Sequence, residues 1–168
     1  MFISKLQHPC KWRGAGDRVC ASYGGGSTNG VRMGRIEEIE WRSREGMSHE
    51  EFNKQLEPFK LMVFDEGTED VWATLVLWLN EDYKQNVFDT RQEEGFVGNG
   101  YDWNALATVF LEEKMPELME VLSFDSEAGM FAIGSEEVEA VKQFAIGFKA
   151  LCDDESAMTD LFSRATLD

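Results

Sequence analysis

From Ser48 onward the apolar residues recur with periods of 2 and about 3.6 residues in alternation, the repeats of a strand and of a helix. Ser48 and Glu51 have the S-x-x-E spacing of a capping box, and Phe52 and Leu56 place one apolar stripe on the short helix that follows. Pro58 ends that helix. Phe59 to Asp65 (FKLMVFD) and Val71 to Leu79 (VWATLVLWL) are rich in strand formers and flank the polar run Glu66 to Asp70, which predicts a hairpin. In the second run Trp72, Thr74, Val76 and Trp78 share one face, and Val71, Ala73, Leu75, Leu77 and Leu79 the other. Both faces are largely apolar, so the pattern predicts a central strand covered on both sides, with Trp72 and Trp78 in the core.

Asn80 to Arg91 suits a helix or long turn with Tyr83, Val87 and Phe88 facing inward. A glycine-rich loop, Gly95 to Asp102, follows; its glycines permit sharp bends. Asp102 is placed to cap a helix on which Trp103, Leu106, Ala107, Phe110 and Leu111 keep the helical period, stopping near Pro116. Trp103 lies on that apolar stripe, which favours the core, whereas Tyr101 is expected to reach solvent or a partner. Val121 to Asp125 and Met130 to Gly134 flank Ser126-Glu127-Ala128-Gly129 as a second hairpin. Ser135 is then expected to cap a helix from Glu136 to Leu151 with Val138, Val141, Phe144, Ala145 and Phe148 inward. A last helix, about Glu155 to Ala165, packs Met158, Leu161 and Phe162. The sum is an α+β domain over residues 47–168, a small, mostly antiparallel sheet with helices packed against it.

Residues 1–46 differ in character. Gly14, Gly16, Gly24, Gly25, Gly26, Gly30 and Gly34 crowd with serine, threonine and asparagine, which predicts a flexible leading segment. The stretch Gly14 to Val19 (GAGDRV) lacks the strand, the helix and the GK[ST] ending of a phosphate loop. Met33 and Met47 are both plausible alternative translation starts.

Charge changes the picture most. The chain of 168 residues carries a net charge of −16, and it is unevenly spread: 8 basic and 5 acidic residues (+3) in 1–45, against 8 and 27 (−19) in 46–168. Such a field repels phosphate backbones and anionic lipid surfaces and attracts basic proteins, although acidity also serves simple solubility. Nucleic acid and membrane are therefore not expected partners. With no long apolar run and no secretory leader in Met1 to Cys10, a cytoplasmic location is expected. Cys10, Cys20 and Cys152 are widely spaced and odd in number, which points to reduced thiols, with Cys152 on an apolar helix face.

Little in the domain looks catalytic. Beyond residue 46 it has one histidine, His49, and one cysteine, Cys152, so triads and Cys/His nucleophile pairs are nearly excluded, and no cofactor or metal set is evident. Carboxylates at Glu93, Glu94 and Asp102 could serve a hydrolase or bind a divalent cation, yet neighbouring acids also arise simply from a solvated acidic face.

The stretch GFVGNGYDW (Gly95 to Trp103), followed by Val109-Phe110-Leu111 and by FDSEAGMF (Phe124 to Phe131), resembles the immunity protein 51 family of bacterial polymorphic toxin systems over about residues 58–165. The resemblance implies a non-enzymatic, single-domain cytosolic antitoxin that binds and blocks a cognate toxin, a basic nuclease being one candidate class. Glu93, Glu94, Asn99, Tyr101 and Asp102 are then the candidate toxin contacts, with Tyr101 as an aromatic anchor. Two other readings stay open: a carboxylate-dependent hydrolase or metal-binding enzyme, and an acidic regulator of a basic host protein.

Overall fold

The computed structural model describes residues 47–79 and 82–167; the glycine-rich segment 1–46 lies outside the described residues. Helix α1 (His49–Leu56) starts on the expected capping box: Ser48 Oγ accepts the Glu51 N–H and the Glu51 carboxylate accepts the Ser48 N–H. Its buried Phe52 and Leu56 lie over strand β1 (Lys60–Phe64). Asn53 on the same helix accepts the Leu61 N–H at 2.7 Å and donates to the Leu61 carbonyl at 3.0 Å. A side-chain amide thus takes the place of a neighbouring strand at that point of an edge that would otherwise invite pairing.

Strand β1 pairs antiparallel with β2 (Trp72–Trp78), from Lys60 opposite Val76 to Phe64 opposite Trp72. The chain then passes through a short helix, α2 (Gln85–Asp89), and a single 3₁₀ turn (Gln92–Glu94) to the long helix α3 (Gly100–Lys114). After α3 come β3 (Ser123–Phe124), β4 (Met130–Ser135), α4 (Val138–Asp153) and α5 (Glu155–Phe162). The sheet has the order β1-β2-β4-β3 and is antiparallel throughout, so the two hairpins join through β2 and β4. The α+β class and both hairpins agree with the sequence pattern. None of the described helices is long and apolar enough to cross a membrane.

Two differences from expectation bear on the site. Ser135 belongs to β4 and its Oγ accepts the Glu137 N–H, so α4 begins at Val138, two residues after the expected start. The larger difference concerns β2. It is central, as expected, and its Ala73–Leu75–Leu77 face is fully covered, at most 1% exposed; on the other face Val76 is 3% exposed, but Trp72 and Trp78 are 38% and 43% exposed. Helices α1, α3 and α4 pack against the face that also carries Leu61, Phe131 and Ile133. The opposite face keeps two aromatic side chains that the sequence pattern assigned to the core.

The core is aromatic and converges on Trp103. Its indole meets the rings of Phe59, Tyr83, Phe88, Phe131 and Phe148 at centroid distances of 5.0–6.3 Å, within the range where offset and edge contacts are favourable. These rings come from the entry to β1, the approach to α2, α2 itself, β4 and α4, so one side chain touches most of the fold. Trp103→Ala should cost about 3–5 kcal/mol of unfolding free energy, read from urea denaturation, and a loss under 1 kcal/mol would remove Trp103 from this central role.

Candidate functional site

The glycine loop is built around a single carboxylate. Asp102 Oδ2 accepts backbone N–H groups from Val97 and Gly98 at 2.7 Å each and from Asn99 at 3.1 Å, and the residue is 1% exposed. Gly95 and Gly98 take φ of 104° and 80°, a left-handed backbone that lets the loop curl around the carboxylate. Asn99, rather than Asp102, is the N-cap of α3: its Oδ1 accepts the N–H groups of Tyr101 and Asp102 at 2.9 and 3.0 Å. Asp102 occupies the third helical position and reaches back, so the two residues form a reciprocal capping box. The expected cap, Asp102, lies three residues past the true one, because Asn99 in the preceding turn supplies the better-placed acceptor.

Gly100 lets this helix start sit closer to the sheet than any other residue would. A Cβ there would collide with the backbone carbonyls of Glu127 and Met130 in the turn between β3 and β4. The Gly100 N–H donates to the Ala128 carbonyl at 3.3 Å, and Ser126 Oγ bonds the Asn104 side chain at 2.6 Å. The loop and the β3–β4 turn are therefore one structural unit.

Glu94 is also engaged. Arg91 donates from Nε and Nη2 to the two Glu94 carboxylate oxygens at 2.9 and 2.6 Å, and from Nη1 to the carbonyls of Phe162 and Ala165 at 2.6 and 2.8 Å. Its guanidinium lies over the rings of Phe96 and Phe162, 4.5 and 5.2 Å from their centroids. Hydrogen bonding from Arg91, reinforced by its positive charge, holds the Glu94 carboxyl below the usual carboxylate range. Glu93 and Tyr101 stand apart: both are exposed, Tyr101 at 56%, and among the described residues Glu93 has no hydrogen-bonding or ionic partner. Of the residues singled out from the sequence, Asn99, Asp102 and Glu94 thus shape the loop, while Glu93 and Tyr101 face outward from it. Among the described residues no group of three or more histidine, cysteine, aspartate or glutamate side chains converges as a metal site. Cys152 is fully buried, and burial pushes its thiol far up, which leaves it inert as a nucleophile.

A second surface escaped the sequence pattern. The uncovered face of the sheet presents Phe64 (49% exposed), Trp72 and Trp78, with Met62 and Met130 half-buried between them. The pairing register aligns them in rows: Phe64 beside Trp72, Met62 beside Thr74 and Gly134, and Trp78 beside Met130. A Cβ on Gly134 would lie 2.9 Å from Cζ2 and Nε1 of Trp72, so the indole rests on the bare backbone of β4. Lys60 and Thr74, polar positions on this same face, were the available signal that it meets solvent.

The sequence profile described as immunity protein 51 matches residues 66–167. The chain belongs to the immunity protein 51 family. Searches of curated proteins and of solved structures return no match. The immunity protein 51 match begins after β1, so α1 and β1 precede it, although β1 pairs with β2 along its whole length. Both surfaces described above, apart from Lys60, Met62 and Phe64, lie inside the matched region of this immunity protein.

Asp102→Asn should destabilise the domain by about 1.5–3 kcal/mol in chemical denaturation, because an amide cannot accept the same charge-assisted bonds from its N–H partners. For Glu94 the sign follows from its lowered pKa: the Arg91 contact stabilises the fold above the ordinary carboxylate value of about 4.3 and is lost as pH falls through the lower folded value. A Glu94→Gln variant should therefore differ most from wild type at neutral pH, with the gap in melting temperature closing in acid; a gap independent of pH would contradict this.

Proposed function

We propose that this immunity protein neutralises a cognate toxin by binding it in the cytoplasm and occluding its working surface, with no chemistry of its own. The family match over residues 66–167 carries this reading. The charge of residues 46–168, −19, supports a basic toxin surface as the target, such as the cleft of a nuclease that must hold phosphate. In this reading Tyr101 and Glu93 touch the toxin directly. Asn99, Asp102 and Glu94 contribute by holding the loop in one conformation, which lowers the entropy lost on binding. Of the three carboxylates considered for a hydrolase or a cation, Asp102 is turned to backbone N–H groups and Glu94 to Arg91, while Glu93 stands exposed.

The test uses a toxin domain found among the genes that neighbour this one, made with its catalytic residues inactivated. The immunity protein should form a stoichiometric complex with it and protect cells that express the active toxin. Glu93→Lys should slow association several-fold at low salt, with the difference shrinking as salt rises. Absence of a complex, or unrelieved toxicity, would overturn the assignment.

A further inference from the structure

The uncovered face of the sheet is an unusual feature for a domain that works alone. Phe64, Trp72 and Trp78 each leave more than a third of their surface in water; Phe64 and Trp72 are paired neighbours at one end of the face, Trp78 stands at the other end of β2, and half-buried Met62 and Met130 with buried Val76 and Ala132 fill the face between and beside them. Tryptophan, phenylalanine and methionine are the residues enriched at the centres of protein interfaces, and contiguous apolar patches on a monomer commonly mark them. We propose that this face, centred on Trp72 and Trp78, is the apolar heart of the toxin contact. The proposal rests on the immunity reading above and specifies the surface that carries it out.

Charge around the patch selects the occupant. Asp65, Glu66, Glu69 and Asp70 stand exposed at the hairpin end beside Phe64 and Trp72, and at the opposite end, near Trp78, the exposed Glu50, Glu57 and Glu127 outnumber Lys54 and Lys60. An aromatic centre within an acidic rim fits a protein surface with an apolar centre and a lysine- or arginine-rich rim. A second copy of this chain would set these carboxylates against their own equivalents, and like charges across an interface are costly. Single-stranded nucleic acid could stack on the tryptophans, but its phosphates would meet the same rim.

The geometry also says how the partner docks. Asn53 occupies the free edge of β1 at Leu61, which disfavours addition of a toxin strand there and leaves the face as the contact. Trp72 is held in advance, because its indole lies on the bare backbone at Gly134, so little side-chain entropy is lost when it is covered. At the other end, Met130 beside Trp78 belongs to the turn against which Gly100 packs, directly before Tyr101. The face and the glycine loop thus adjoin at one end of the sheet, and one toxin domain is able to cover both.

Affinity for the inactivated toxin domain should fall at least 30-fold for Trp72→Ala and for Trp78→Ala, with circular dichroism at the assay temperature close to wild type and a lowered melting temperature, because each side chain still buries more than half of its surface. Peptide-resolved hydroxyl-radical footprinting of the unmodified complex gives a readout independent of any variant's folding. Phe64, Trp72 and Trp78 should become protected, while the buried Trp103 should be unreactive in the free and bound protein alike. If wild type fails to bind the toxin, the immunity reading itself is overturned. Should wild type bind while both variants bind within twofold and the footprint leaves these residues reactive, this surface assignment alone is wrong. A dimer of the free chain that protects the same residues would overturn the toxin as their occupant.

Discussion

Trp103 can touch five other rings only because α3 begins where it does, pressed against the turn between β3 and β4. Three local features hold that start in place: the missing side chain of Gly100, the cap supplied by Asn99, and the buried Asp102 carboxylate that gathers the N–H groups of the loop. A helix end displaced by even a small distance would pull the indole from Phe131 on the sheet and from Phe148 on α4 together. Dense aromatic packing is intolerant of such shifts, so the loop is as much a part of the core as the rings are.

This arrangement explains why much of the candidate loop is occupied by its own structure. An anionic side chain that already accepts three backbone N–H groups has little left to offer a partner, and the same holds for a glutamate bridged by an arginine that also ties down the end of α5. What the loop offers outward is what these contacts leave over, chiefly Tyr101 and Glu93.

The sheet divides its labour in a similar way. One face, with Leu61, Ala73, Leu75, Leu77, Phe131 and Ile133, is sealed by helices, and the hydrophobic effect is satisfied there. On the other face, among the described residues, Phe64, Trp72 and Trp78 stay partly exposed while Val76 and Ala132 are buried.

Read alone, the sequence determined the class of fold, the two hairpins, the outward Tyr101 and the inward Trp103, because periodicity, caps and turn residues act over a few positions and leave a local signature. It also carried the likeness to the family, through GNGYDW and FDSEAGMF. Only the tertiary structure decided that Asp102 serves the loop from within the helix, that Glu94 is bound to Arg91, and that Trp72 and Trp78 face water. An apolar strand face has the same composition whether a helix or a partner protein is to cover it. Which of the two it meets depends on where distant segments pack, and no spacing within the strand records that.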